Sequence, residues 1–167
     1  MTAATVLGAS MAPAHPDPIN AQPPPTTTEA PMSTKIAVNL PVKDVAASSR
    51  FFAALGFPPD NKLGNKTMAA FVISDDIYVL LVDQAQFTAT TKKEIPDTAA
   101  TSEVILQLQV AGRQRVDELA GHAFAAGALP ANEPNDQGFL YGRSFRDLDG
   151  HHWDVFCTGP ATPKEQT

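Results

Sequence analysis

From Lys35 the chain begins to alternate. Ile36, Val38, Leu40 and Val42 share one parity and Ala37 and Asn39 the other, the pattern of a strand with one buried face. Asp44 has the chemistry of an N-cap. Val45 to Leu55 then predicts a helix, with Val45, Phe52 and Leu55 on its buried stripe and Gly56 closing it. Phe57-Pro58-Pro59 and the polar stretch 61–65 predict a loop. Thr67 to Ile73 and Ile77 to Val82 predict two strands joined at Ser74-Asp75-Asp76. Asp83 to Ser102 is polar and weakly patterned, and predicts a long loop with one helical turn around Gln84 to Phe87.

The same order then recurs. Glu103 to Val110 alternates, with Val104, Leu106, Leu108 and Val110 on one face and Ile105, Gln107 and Gln109 on the other. Gly112 to Ala126 predicts a helix with Val116, Leu119 and Ala123 in register, closed by Gly127. Ala128 to Pro134 is short and rich in breakers, and Phe139 to Phe145 and His151 to Phe156 predict the last two strands. Strand, helix and further strands thus occur twice, in units of about 50 residues, which an internal duplication explains economically. The fold class expected is α+β: two βαβββ modules forming a cup-shaped mixed sheet, helices outside and a concave pocket inside. The modules are expected at about 34–83 and 102–158 of a domain spanning 34–158.

Composition changes the picture mainly at the ends and by exclusion. Seven of the 15 prolines precede residue 34 and no Lys or Arg occurs before Lys35, so 1–33 is expected to be a disordered, Pro-rich tail, with 159–167 a second one. A signal peptide competes poorly, because Thr2 to Ala12 lacks a basic leader. A start at Met32 is a further alternative. The formal charge of −6 and the scattered Lys and Arg argue against a nucleic-acid partner. No apolar run reaches the ~20 residues of a membrane helix. One cysteine, Cys157, excludes an internal disulfide and fits a reducing compartment, so a cytoplasmic location is expected.

Candidate chemistry gathers in the last hairpin. Its two strands flank the turn Asp147-Leu148-Asp149-Gly150, and alternation places Asp154 on one face with His152 and Phe156. Asp154 is the candidate catalytic residue, a hydrogen-bond acceptor for a ligand or a base, against the plainer reading of a strand carboxylate held by its neighbours. His152 and Asp154 could touch one ligand. Asn39 and Gln107 are expected on the same inner surface, with Gln109 at the rim. Tyr141, whose hydroxyl wants a partner, and Arg143, which could clamp a carboxylate, complete the expected ligand-binding set of Asn39, Gln107, Tyr141, Arg143, His152 and Asp154. Phe139, Tyr141, Phe145 and Trp153 could form an aromatic wall or simply a core. His151 and His122 are expected to be structural or superficial. No nucleophilic triad and no Gly-rich phosphate loop is visible.

Two stretches resemble a known family. Leu40-Pro41-Val42-Lys43-Asp44 leading into Arg50-Phe51-Phe52-Ala53-Ala54-Leu55-Gly56-Phe57 resembles the first strand and helix of the vicinal oxygen chelate superfamily, which includes glyoxalases, bleomycin-resistance proteins and extradiol dioxygenases. Tyr141 to Asp154 resembles its closing hairpin. The resemblance implies the paired βαβββ fold, often a homodimer, and a divalent metal held by the first strand of each module and by the last strand. Carried over by position, the first-strand ligands become Ala37 and Ile105, which have no donor, and the strand through Tyr78 to Leu81 has no acid. Only Asp154 remains, and a catalytic site normally has about three protein ligands. The expectation is therefore a protein of this kind that binds a small organic ligand, with no metal and no cofactor, so that metal-dependent lyase or dioxygenase activity is not expected. The alternatives are a lactoylglutathione lyase-like or isomerase-like enzyme using Asp154 with His152 as helper, and a structural or dimerisation module without a ligand.

Overall fold

The computed structural model describes residues 34–159; the tail expected at 1–33 and nearly all of that expected at 159–167 lie outside this range. Each module grows from its alternating first strand. In the first, β1 (Ile36–Val42) leads to α1 (Val45–Ala54), then β2 (Met68–Ser74) and β3 (Ile77–Asp83). Asp44 caps α1 as expected: its carboxylate accepts from the amides of Ala46 and Ala47 at 2.9 and 3.0 Å. Gly56, with φ +89°, turns the chain out of the helix.

Between the modules stands α2 (Gln84–Thr91), where only one helical turn was expected. Asp83 caps it, accepting from the amides of Ala85 and Gln86. None of its residues is buried, so no apolar stripe was needed to mark it in the sequence.

The second module follows as β4 (Ile105–Gln109), α3 (Gly112–Ala125), β5 (Leu129–Pro130), β6 (Asn135–Asp136), β7 (Leu140–Arg146) and β8 (His152–Thr158). The fold is α+β and the paired-module plan holds, with the strands dividing into two mixed sheets. One has the order β1-β3-β2; the other has β4-β8-β7-β5, with β6 also on β7. The same pairing rule operates in both: the first strand runs parallel to the last, and the last antiparallel to the one before it. Even the short β5 has a counterpart, since Pro59 bridges Phe71 of β2 as β5 pairs β7.

One hydrophobic core serves both modules. Phe52 of α1 lies edge-on to Trp153 of β8 at 5.5 Å, and Phe51 meets Phe145 of β7 at 6.2 Å. Phe145 and Trp153 stack on each other, and both are buried. These two rings are core, not ligand wall, while Tyr141 packs against the core and Phe139 is exposed. Burying side chains of this size contributes about 1.5–3 kcal/mol each.

The Asp147–Gly150 turn also joins the modules, through polar groups. Asp147 is buried and accepts from the amides of Asp149 and His151 and from the Trp153 indole, each at 3.0 Å. Asp149 accepts from the Lys43 amide at 2.8 Å and the Ser48 hydroxyl at 2.9 Å, on the far side of the core. His151, buried as well, places Nε2 2.9 Å from the Pro41 carbonyl, so that nitrogen donates. The structural role expected of His151 is thus specific: it ties the second module's hairpin to β1. At Gly150, φ is +89° and an added Cβ would meet Thr98 Oγ1 at 2.5 Å, so only glycine fits.

Candidate functional site

The five-stranded sheet has one face on the core and one facing away from it. Strand parity decides which side chains share the open face. Opposite His152, Asp154 and Phe156 of β8 stand Arg146, Ser144 and Gly142 of β7 on one side. On the other stand Ile105, Gln107 and Gln109 of β4. The open face therefore carries cross-strand rows: Arg146–His152–Ile105, Ser144–Asp154–Gln107 and Gly142–Phe156–Gln109.

Asp154 is the centre of the polar row. Gln107 Nε2 donates to its Oδ2 at 3.1 Å, and His152 Nε2 lies 3.0 Å from its Oδ1. With the His152 and Asp154 side chains 16% and 26% exposed, the pair is sheltered yet reachable. Both carboxylate oxygens are oriented by neighbours and retain lone pairs for a ligand. Gln109, expected at a rim, is exposed and donates to the Thr158 hydroxyl at 3.1 Å.

A cleft of about 350 Å³ opens on this face, lined by Gln107, Asp154, Ser144, Phe156, Leu140 and the 132–135 segment among others. The Ser144 hydroxyl accepts from the Asn132 amide at 3.0 Å, which holds that segment as a wall. A second cleft of about 260 Å³ adjoins it; Asn132 borders both, and Arg146, His152 and the 98–102 segment line the second.

Of the six ligand-binding residues expected from sequence, the structure brings together Gln107, His152 and Asp154. Tyr141 and Arg143 have the opposite parity, and their polar ends lie on the helix side. The Tyr141 hydroxyl donates to Asp117 Oδ1 of α3 at 2.8 Å, and the Arg143 guanidinium pairs with the same oxygen at 3.3 Å while lying over the Phe124 ring. Burial first, and the Asp117 carboxylate second, push the Tyr141 phenol above its ordinary value. Arg143 borders the first cleft, but its charge is spent on Asp117. Asn39 belongs to the other sheet, donates to the Ala37 carbonyl at 3.4 Å and is not among the residues lining that cleft.

Ser144, Asn132, Glu133, Asn135 and Phe156 were not singled out as site residues, although each lines the cleft. Ser144 was within reach of sequence reasoning. A hairpin closing at 147–150 sets residue 144 opposite 154, on the face of Asp154. The 132–135 segment gave no such signal, since β6 is two residues long.

The metal chemistry implied by the sequence resemblance needs several donors around one ion. Among the described residues, no group of three or more His, Cys, Asp or Glu side chains converges in that way. Ala37 and Ile105 offer hydrocarbon at the first-strand positions. Gln107 adds a neutral amide, a weak donor for zinc or iron. The described residues do not fit a catalytic metal.

Comparison with known proteins agrees with this architecture. No family model and no curated protein matches the sequence. Solved structures do match. Hypothetical protein SA1046 from S. aureus is 28% identical with a TM-score of 0.65, over 75% of this chain and 94% of that one. A glyoxalase/bleomycin resistance protein/dioxygenase family enzyme from Burkholderia phytofirmans PsJN is 17% identical at TM-score 0.65, over 76% of this chain and 100% of its own.

The chain has the vicinal oxygen chelate fold.

A glyoxalase-related enzyme from Fulvimarina pelagi shares that fold at 16% identity and TM-score 0.65, over 76% and 89% of the two chains. At such identities the likeness concerns the fold, and a vicinal oxygen chelate fold hosts many chemistries. No helix among the described residues is long and apolar enough to cross a membrane.

Proposed function

We propose that this protein is a divergent, metal-independent member of the vicinal oxygen chelate superfamily that binds a small organic molecule on the open face of its second module. The observation that carries the reading is the Gln107–Asp154 pair lining a cleft, with His152 held against Asp154 beside it, at the strand position where the family resemblance would imply a metal ligand. The cleft's volume is within the ~300–1,000 Å³ range of small-molecule sites. Leu140 and Phe156 supply apolar area, and Asp154 supplies an oriented acceptor. Such a site needs neither cofactor nor metal to sequester a ligand. We place it in the cytoplasm, consistent with the free, buried Cys157.

A thermal-shift screen across antibiotics, thiols and aromatic metabolites tests the reading. At least one compound should raise the melting temperature, and its affinity should fall about tenfold or more in Asp154→Ala, as loss of a charged hydrogen-bond acceptor entails. Unchanged affinity in that variant would remove Asp154 from the site.

A second reading rests on the 3.0 Å contact between His152 Nε2 and Asp154 Oδ1, an arrangement suited to moving a proton. It makes the protein a metal-independent isomerase-like enzyme using Asp154. Turnover of a bound compound, lost in both Asp154→Asn and His152→Gln, would favour it over sequestration.

We further propose a homodimer. Strands β1 and β4 each end a sheet among the described residues, and exposed Ile36, Val104 and Ile105 lie on or beside them. Exposed apolar edges of this kind invite pairing with another chain.

A further inference from the structure

We infer that the cleft between Arg146, His152 and the 98–102 segment is a carboxylate subsite, and that the ligand is a small organic acid. This rests on the ligand-binding reading of the adjoining cleft and specifies the class of molecule bound.

Arg146 stands apart from the other arginines near this sheet. Arg113, Arg115 and Arg143 meet Asp136, Glu118 and Asp117. Arg146 meets no carboxylate among the described residues; one of its nitrogens donates to the Pro130 carbonyl at 3.3 Å, which anchors the side chain at the sheet edge. Its remaining N–H groups form a planar fork, the geometry that grips a carboxylate through two parallel hydrogen bonds. Arg146 is opposite His152 across the β7–β8 ladder, so the two side chains stand on the same open face.

The rest of the cleft supplies neutral donors. The Thr98 and Thr101 hydroxyls already donate to the carbonyls of Asp149 and Asp97. Ser102 and the side-chain amide of Asn132 remain as donors toward the cleft. Asn132 also borders the first cleft, so one small molecule can lie across both. Its carboxylate would face Arg146. Its body would lie over Leu140 and Phe156, and a hydroxyl or amino group would reach Asp154. His152, bonded to Asp154, separates that acid from the bound anion and limits their repulsion.

The test uses two probes of nearly one shape, an anion and its neutral amide. The full chain is titrated with benzoate and with benzamide in a buffer of about 0.15 M salt, where nonspecific surface attraction is largely screened. Backbone and arginine side-chain NMR signals report the contacts. Benzoate should bind about tenfold more tightly than benzamide and shift the Arg146 side chain, Ser102 and His152. Arg146→Gln, an exposed substitution whose spectrum will show whether the fold is kept, should abolish the preference, and Arg146→Lys should restore part of it. Equal binding of the two probes, survival of the preference in Arg146→Gln, or no response to benzoate overturns the carboxylate subsite. If benzamide still shifts Gln107 and Phe156 in that case, the ligand cleft stands without the subsite. If neither probe binds there and no compound in the screen stabilises the chain, the ligand-binding reading fails with it.

Discussion

Asp147 and Asp154 belong to one hairpin and serve opposite ends. Asp154 has two neighbours and an open cleft; Asp147 is buried and accepts three N–H groups. Burial pushes the Asp147 carboxyl above its ordinary value, against the opposing pull of His151 and the hydrogen bonds from Trp153, His151 and Asp149. Asp147→Asn turns one acceptor into a donor facing other donors, and should cost about 1–3 kcal/mol in urea unfolding. The sign of its pH dependence follows from the raised value. The stabilising contribution is fully present below the unfolded-state value and is lost as pH rises through the folded one. The stability gap between wild type and Asp147→Asn should therefore narrow as pH rises from 3.8, the ordinary aspartate value. A flat or widening gap would contradict the assignment of burial as the dominant cause. Residue-scale legibility was uneven for a simple reason. Alternation along β8 places Asp154 and His152 on one face, whereas chemical type alone suggests Tyr141 and Arg143, whose parity is the opposite one. The hairpin register puts Ser144 and Arg146 on that face, and sends the other two to Asp117.

At the scale of elements, what was legible is what pays an energetic cost when wrong. A strand or helix that buries one face must carry the matching periodicity, and β1, α1, β4 and α3 all do. Helix α2 buries no residue and was nearly invisible, and β5 and β6 are too short for any period to register. The same ranking predicts stability. Phe52 of α1 touches Phe51, Phe71 and Trp153 and is fully buried, so Phe52→Ala should destabilise by about 3–5 kcal/mol. Asp44→Ala removes only the cap and should cost about 1 kcal/mol. Chemical denaturation of the two variants checks the order; a cap loss larger than the core loss would mean that α1 is held mainly by its own end rather than by packing between modules.

In the whole molecule the two sheets obey one pairing rule, the pattern expected of an internal duplication, and the shared aromatic core with the Asp149–Lys43–Ser48 contacts joins them. The paired-module pattern predicts a single hollow between the modules. The cleft with the Asp154 row belongs to the second module, because Asn39 lies on the other sheet and does not border it. The free edges of β1 and β4 lead to a prediction for assembly: light scattering should give about twice the 17.7 kDa chain mass, and a monomer mass at micromolar concentration would remove the dimer. The central claim is that this fold carries a ligand site without metal chemistry. Its most direct test is elemental analysis of untagged protein, before and after incubation with equimolar Ni²⁺, Zn²⁺, Mn²⁺ or Fe²⁺ and desalting. The account predicts far less than one ion per chain in every case; one tightly held ion per chain, released by substituting Asp154 or His152, would contradict it.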